Sequence, residues 1–304
     1  MFSKLVRKTG LFRAIQEVAS FANQAKNGRW YPAGGETIMT TIYTEQIIAV
    51  SQSDVSLAPH LILKGIWEME LSGKCESLIS SVKDPIIFDV GANFGWYGLI
   101  LSRFSGQSAV HFFEANPLLA KLIEKTILVN GLTGRSSIVN CAVGADDDSL
   151  MELNVPKMHM GSASVKPFAP GQLKSFYEKE EEMQAFKVLT RSLDRYCDSS
   201  SIACINFLKI DVEGAEGDVL LGAEDIISKS PDLNVMMEWN VGRYPDEVMG
   251  VLKQFSKCEG LAADGKIIDL SQIFSSSSTI HDFERKAMIA LSKSFALDLF
   301  FMKK

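Results

Sequence analysis

Asp89 closes the run "IIFD", Glu114 the run "AVHFFE", Asp211 the run "NFLKID" and Glu238 the run "NVMME", with Glu213 two places beyond Asp211. Between the first two acids lies "GANFGWYG", which carries Gly91, Asn93, Gly95 and Gly98. Short apolar runs of this kind read as buried strands. An acid, a bare-backbone turn and a helix start then describe a ligand site at strand ends. A dinucleotide fingerprint needs glycine where Asn93 stands, because the backbone there must approach a pyrophosphate. That mismatch disfavours a nicotinamide dehydrogenase. Converging acids also repel a diphosphate and suit a cation. Glu114, at the end of the second run, is placed to accept hydrogen bonds from the hydroxyls of a ribose.

A ligand with a ribose, no diphosphate and a cationic end fits S-adenosylmethionine. On this reading the turn with Asp89, Gly91, Asn93 and Gly95 holds the methionine end. Glu114 holds the ribose, and backbone groups near Ala142 meet the adenine edge. Asp211 faces the positive charge. Methyl transfer to an alcohol is an in-line displacement, where positioning can be worth ~7–11 kcal/mol and a base about 10²–10⁴-fold. Strand alternation places Lys209, Asp211 and Glu213 on one face, so Asp211 or Glu213 is the expected base. A Lys209–Asp211 ion pair is the competing use. His159, in the polar stretch "KMHMGSAS", is an alternative base, and Ser162 and Ser164 could bond substrate hydroxyls. Trp96, Tyr97 and Trp239 are candidates for stacking on a sugar, against core packing. The Asp211–Glu213 pair could also orient a divalent ion, but the four histidines do not cluster with cysteines at ligand spacing, and no metal is expected.

These side chains need a scaffold. Ile86–Val90, Ala109–Phe113, Ser137–Val143, Asn206–Val212 and Asn234–Trp239 read as strands. Between and around them, Gly95–Phe104, Pro117–Asn130 (with Asn116 as N-cap), Ala215–Ser228 and Pro245–Ser256 read as helices. "SLMELNVP" and "FKVLTR" read as further strands, "YEKEEEMQ" (177–184) as a solvated charge run and "ALDLFFMKK" as a last strand. The alternation implies parallel pairing and right-handed crossovers. Residues 85–304 are expected to form one doubly wound α/β domain. Residues 1–84 would form an extension on it: an amphipathic helix over 2–25, one or two strands over 37–50, and helix over 64–80.

The motifs "FDVGANFGWYGL", "FFEANP", "NCAVG", "GSASV", "LDRYC", "FLKIDVEGAEGDVLLGA" and "VMMEWN" resemble the FkbM family of S-adenosylmethionine-dependent methyltransferases. The resemblance is good over about 85–240 and loose at the last strand; "KIDVEGAE" is its most specific piece. It implies a Rossmann-like class I methyltransferase sheet of seven strands, the last antiparallel. It also implies O-methylation of hydroxyls on sugars, glycans or polyketides. A catalytically inactive nucleoside- or carbohydrate-binding protein on the same scaffold is the alternative.

The bulk numbers limit the partners. The chain has 304 residues, 46% of them apolar, and a net charge of −6, which gives no drive toward nucleic acid. Positive charge gathers at the start, where Lys4, Arg7, Lys8, Arg13, Lys26 and Arg29 face only Glu17. A basic helix there could make weak membrane-surface contact. No apolar run approaches the ~20 residues that span a bilayer, and no secretory leader is evident. Five cysteines without a C-x-x-C pair read as reduced buried thiols. The expected compartment is cytoplasmic; the sequence does not fix the oligomeric state.

Overall fold

The computed structural model describes residues 29–166 and 182–303. The expected helix over 2–25, and the membrane contact assigned to it, lie outside these residues. So does most of the charge run 177–184.

The extension opens with β1 (Trp30–Pro32), β2 (Thr37–Thr41) and β3 (Ile47–Ser51), an antiparallel sheet in that order. Helices α1 (Ala58–Lys64) and α2 (Met69–Ile79) follow. Next come β4 (Ile86–Val90), α3 (Trp96–Leu101), β5 (Ala109–Phe113), α4 (Pro117–Val129), β6 (Ser136–Val139), β7 (Ala142–Val143) and β8 (Leu150–Pro156). The chain continues through β9 (Met183–Arg191), α5 (Leu193–Ser200), β10 (Phe207–Ile210), α6 (Glu216–Leu221), α7 (Glu224–Lys229), β11 (Asn234–Asn240) and α8 (Glu247–Leu252). It ends with β12 (Lys257–Leu261), β13 (Ile267–Asp269), α9 (Ser271–Ser276), α10 (Ile280–Leu291) and β14 (Ala296–Met302).

The main sheet has the order β13-β12-β14-β11-β10-β4-β5-β6. Strands β6, β5, β4, β10 and β11 run parallel, and β14 enters antiparallel between β11 and β12. This is the expected class I arrangement with one strand more than expected. The extra strand is β13, three residues paired to β12 beyond the turn at Asp264-Gly265. So short a run carries no periodicity to read. No described helix is long and apolar enough to cross a membrane.

Two other expectations change. Ser137–Val143 is not one strand. It breaks at Asn140, whose side chain donates to the carbonyl oxygens of Glu114 (2.7 Å) and Ala115 (3.0 Å). The next residues leave the sheet as β7 and pair with β9. The helix expected over 215–228 splits into α6 and α7 at Gly222-Ala223. A Cβ on Gly222 would lie 2.0 Å from the Gly144 carbonyl oxygen, so the bare residue lets this break pack on the turn that follows β7.

Both faces of the sheet are covered. Helices α5 to α10 pack on one face, with Phe88, Leu208, Met237 and Phe301 in their core. The other face buries Ile87, Phe207 and Phe300 with α3, α4 and the extension, through Ile48, Leu61, Cys75 and Ile79. The outer edge of β3 is tied to α4: Ile47 N donates to Asn130 Oδ1 (2.9 Å) and Ala49 N to Thr126 Oγ1 (3.0 Å). Cys75, Cys141, Cys197 and Cys258 are buried free thiols, whereas Cys204 is exposed, against the expectation that all are buried.

Candidate active site

The strand order reverses between β4 and β10, with β5 on one side and β11 on the other. Ligands bind at the carboxyl ends of strands at such a point. A cleft of about 600 Å³ opens there. Gly91, Asn93, Glu114, Ala142, Asp211 and Glu213 all line it, so the structure gathers these candidates in one place. Its remaining wall is apolar, from Phe113, Val143, Leu153, Ala163 and Val165. That wall suits a flat nucleobase.

The floor comes from the glycine turn. Gly91 has φ +68°, and a Cβ on it would lie 1.7 Å from the Asp211 carbonyl oxygen. Its glycine is therefore demanded by the neighbouring turn as well as by any ligand. Asn93 also has positive φ, at +54°. Its backbone N–H donates to Glu114 Oε2 at 2.7 Å, and the Asn116 N–H donates to Oε1 at 2.8 Å. Burial raises the Glu114 carboxyl to about 7 despite those two donors. Asn93 Oδ1 is buried without a hydrogen-bond partner among the described residues, which leaves one acceptor for a ligand's donor.

Asp89 and Gly95 do not line the cleft. Asp89 is 1% exposed and accepts the Gly98 N–H at 2.8 Å, which fixes the start of α3. Gly95 packs against Phe112 and Ile123. Both support the turn from beneath. Asp89 is also one of three groups around Lys209, a buried lysine whose Nζ donates to the Gly91 carbonyl at 2.7 Å. The same Nζ lies 3.2 Å from Asp211 and 3.8 Å from Asp89. Burial alone would lower this lysine, but Asp211 and then Asp89 hold it above the ordinary range. The Lys209–Asp211 ion pair is therefore present, and Asp211 still reaches the cleft.

Glu213 follows on a turn with φ +54°, and Gly214 follows at +99°. Positive φ at a glutamate is strained backbone and persists only where the surroundings impose it. Glu216 imposes it here. This carboxylate is fully buried and accepts from Gly214 N (2.9 Å), Val212 N (3.3 Å) and the Tyr244 hydroxyl (2.7 Å). Burial first, then Asp211 and Glu216, raise the Glu213 carboxyl to about 8; Arg243 and Lys209 oppose them. Sequence reasoning did not single out Glu216, although it closes the "DVEGAE" motif; the signal was a third acid two places after the glycine.

The loop 160–165 lies over the cleft. It supplies Gly161, Ala163 and Val165, and Ser164 Oγ donates to the Glu213 carbonyl at 3.1 Å. Ser164 thus holds the turn. Met160 N donates to Asp54 Oδ2 at 3.1 Å, so the extension holds this loop. Asp54 went unnoticed because it looked like loop polarity. His159 is half-buried just before the loop and is absent from the cleft wall. The three aromatics are core groups. Trp96 donates to Ser72 Oγ, Tyr97 to Glu68 Oε2 and Trp239 to Glu284 Oε1, each nearly or fully buried. Glu238 stands on β11 beside Asp298 of β14. It does not line the cleft, and Asp211 and burial raise its carboxyl. Among the described residues, no three metal-binding side chains come together.

The residues present fit S-adenosylmethionine: an apolar wall, the Glu114 carboxylate in that wall, an orphaned amide oxygen and a second acid, Glu213, without an ion-pair partner among the described residues. Glu114→Ala is expected to weaken binding of S-adenosylhomocysteine by ~10–150-fold, the ~1.5–3 kcal/mol of a charged hydrogen bond. Titration calorimetry reads this directly; unchanged affinity would remove Glu114 from the cofactor site.

Comparison with known proteins follows the same line. Residues 89–259 match the family model described as "Methyltransferase FkbM domain". Methyltransferase 1 of Beauveria bassiana is 28% identical over 159 residues, covering 50% of this chain and 64% of that protein. Methyltransferase sdnD of Sordaria araneosa is 22% identical over 208 residues, covering 62% and 79%. The 2-O-methyltransferase NoeI of Sinorhizobium fredii is 24% identical over 152 residues, covering 48% and 60%. The matches to the first and third of these relatives thus span less than two thirds of their lengths. More than half of the chain, including every residue of the cleft wall, falls within the family model, and the chain belongs to the FkbM methyltransferase family, whose cofactor is S-adenosylmethionine.

Proposed function

We propose that this protein transfers the methyl group of S-adenosylmethionine to a hydroxyl of a sugar, glycan or related metabolite, with Glu213 as the base. The observation that carries this reading is the Asp211–Glu213 turn: two carboxylates in the wall of the nucleoside cleft, one paired with Lys209 and one not. The name of the relative NoeI, a 2-O-methyltransferase, supports an oxygen acceptor.

The bound cofactor supplies an electrophilic methyl group next to a positive sulfur. The chain's residues do the rest. Glu114 holds the ribose, the turn with Asn93 holds the methionine end, and the apolar wall takes the nucleobase. Asp211, fixed by Lys209, faces positive charge without moving. Glu213 takes the proton of the acceptor hydroxyl, which readies that oxygen for the methyl group the cofactor would supply. A carboxylate raised toward the working pH is a better proton acceptor than an ordinary one.

Incubation with S-adenosylmethionine and panels of glycosides and polyols, read by mass spectrometry, tests the reading. A methylated product with the new group on oxygen is expected. Binding of S-adenosylhomocysteine without methyl transfer to any member would favour a non-catalytic nucleoside-binding protein instead.

A further inference from the structure

A second cleft, of about 550 Å³, adjoins the first across the 213–215 turn. Glu213 and Ala215 face the cofactor cleft, and Gly214 between them faces the second. Likewise Val165 lines the first and Lys166 the second. Anything in the second cleft therefore lies one residue from the proposed base.

Arg243 is the charged group in this cleft that its neighbours leave unanswered. Lys166 is paired with Asp218 at 2.6 Å. Arg243 makes no ion pair with any described carboxylate, although its charge is felt at Glu213. Its guanidinium lies on Gly214, where a Cβ would come 2.1 Å from Nη1. The next residue, Tyr244, is held on both sides. The Tyr244 hydroxyl donates to Glu216 and accepts the Asn240 N–H, both at 2.7 Å, and its ring packs on Trp239 at 4.5 Å between centroids. The same glutamate that shapes the Glu213 turn thus also anchors the neighbour of Arg243.

From this juxtaposition we infer that the acceptor is anionic: a sugar or related polyol whose carboxylate or phosphate sits on Arg243 while a nearby hydroxyl meets Glu213. The inference rests on the methyl-transfer reading and narrows its substrate class. A guanidinium without a carboxylate partner presents its paired donors to planar or tetrahedral oxyanions.

The test uses the full chain loaded with S-adenosylhomocysteine and titrates three matched probes: a neutral methyl hexoside, the corresponding uronate and the hexose 6-phosphate. One anionic probe is expected to bind ~10–100-fold tighter than the neutral one, the range of a charge-assisted hydrogen bond. Which anion binds identifies the group. Arg243→Gln should remove that advantage, leaving the neutral probe and S-adenosylhomocysteine as in the parent. With S-adenosylmethionine, the same variant should raise KM for the anionic probe and spare kcat. Equal binding of all three probes by the parent protein, or an anion preference that survives in Arg243→Gln, would overturn the anionic anchor. Anion binding that depends on Arg243 without methylation of any probe would support the anchor and count against the methyl-transfer reading.

Discussion

Glu213→Gln is expected to cut turnover by about 10²–10⁴-fold while leaving S-adenosylhomocysteine affinity close to the parent. The amide keeps the size and the polar contacts but cannot take a proton. The pH profile separates this from a loss of packing. In the free enzyme the Glu213 carboxyl titrates at about 8, so kcat/KM should fall about tenfold per pH unit below that value. The sign follows from the role: a base works only when deprotonated, and acid removes it. In Glu213→Gln the residual rate should lose this limb. A limb unchanged in the variant would assign it to another group, and full activity would end the role of Glu213.

Lys209→Met should cost stability most. The lysine is 3% exposed and lies between Asp89, Asp211 and the Gly91 carbonyl. Methionine fills similar space and leaves two carboxylates without their cation, one of them fully buried. Breaking a buried pair from one side costs ~3–5 kcal/mol. At about 2.1 cal/mol/K of unfolding entropy per residue, a chain of 304 residues turns that into a fall in melting temperature of roughly 5–8 °C. Asp89→Asn on top of Lys209→Met should recover part of the loss, because the stranded charge goes with it. Thermal melts of the parent, both single variants and the double variant check this. A double variant no better than Lys209→Met would show that Lys209 acts through Asp211 and the Gly91 carbonyl, not through Asp89.

Much of the scaffold was legible because burial on both faces leaves a plain mark. Ile86–Val90 and Ala109–Phe113 are strands at the residues read from the sequence, and Asn116 caps α4 by accepting the Leu118 N–H at 3.0 Å. The cleft candidates Gly91, Asn93, Glu114, Ala142, Asp211 and Glu213 also stand together. What stayed hidden was which way a polar side chain turns. Asp89 and Asp211 occupy the same kind of strand end, yet one anchors a helix start and the other faces the cleft. Depth in the sheet decides this, and sequence does not record depth. Trp96 and Tyr97 point into the core because α2 covers them, through Ser72, 24 residues from Trp96, a partner that no local pattern names. Arg243 and Asp54 matter through contacts made across the fold, so neither belonged to a motif.

The interpolation of β14 between β11 and β12 constrains the order in which the chain can be assembled during synthesis. Once β12 and β13 have both been made, each has the other as its one sheet neighbour among the described strands, since β14, which lies between β12 and β11, comes later in the chain. The hairpin of β12 and β13 must wait, with its inner edge open, until Ala296–Met302 arrives to close the seam. Open strand edges invite wrong pairing. The inner edge of that hairpin therefore stays open until Ala296–Met302, the last described strand, has been made.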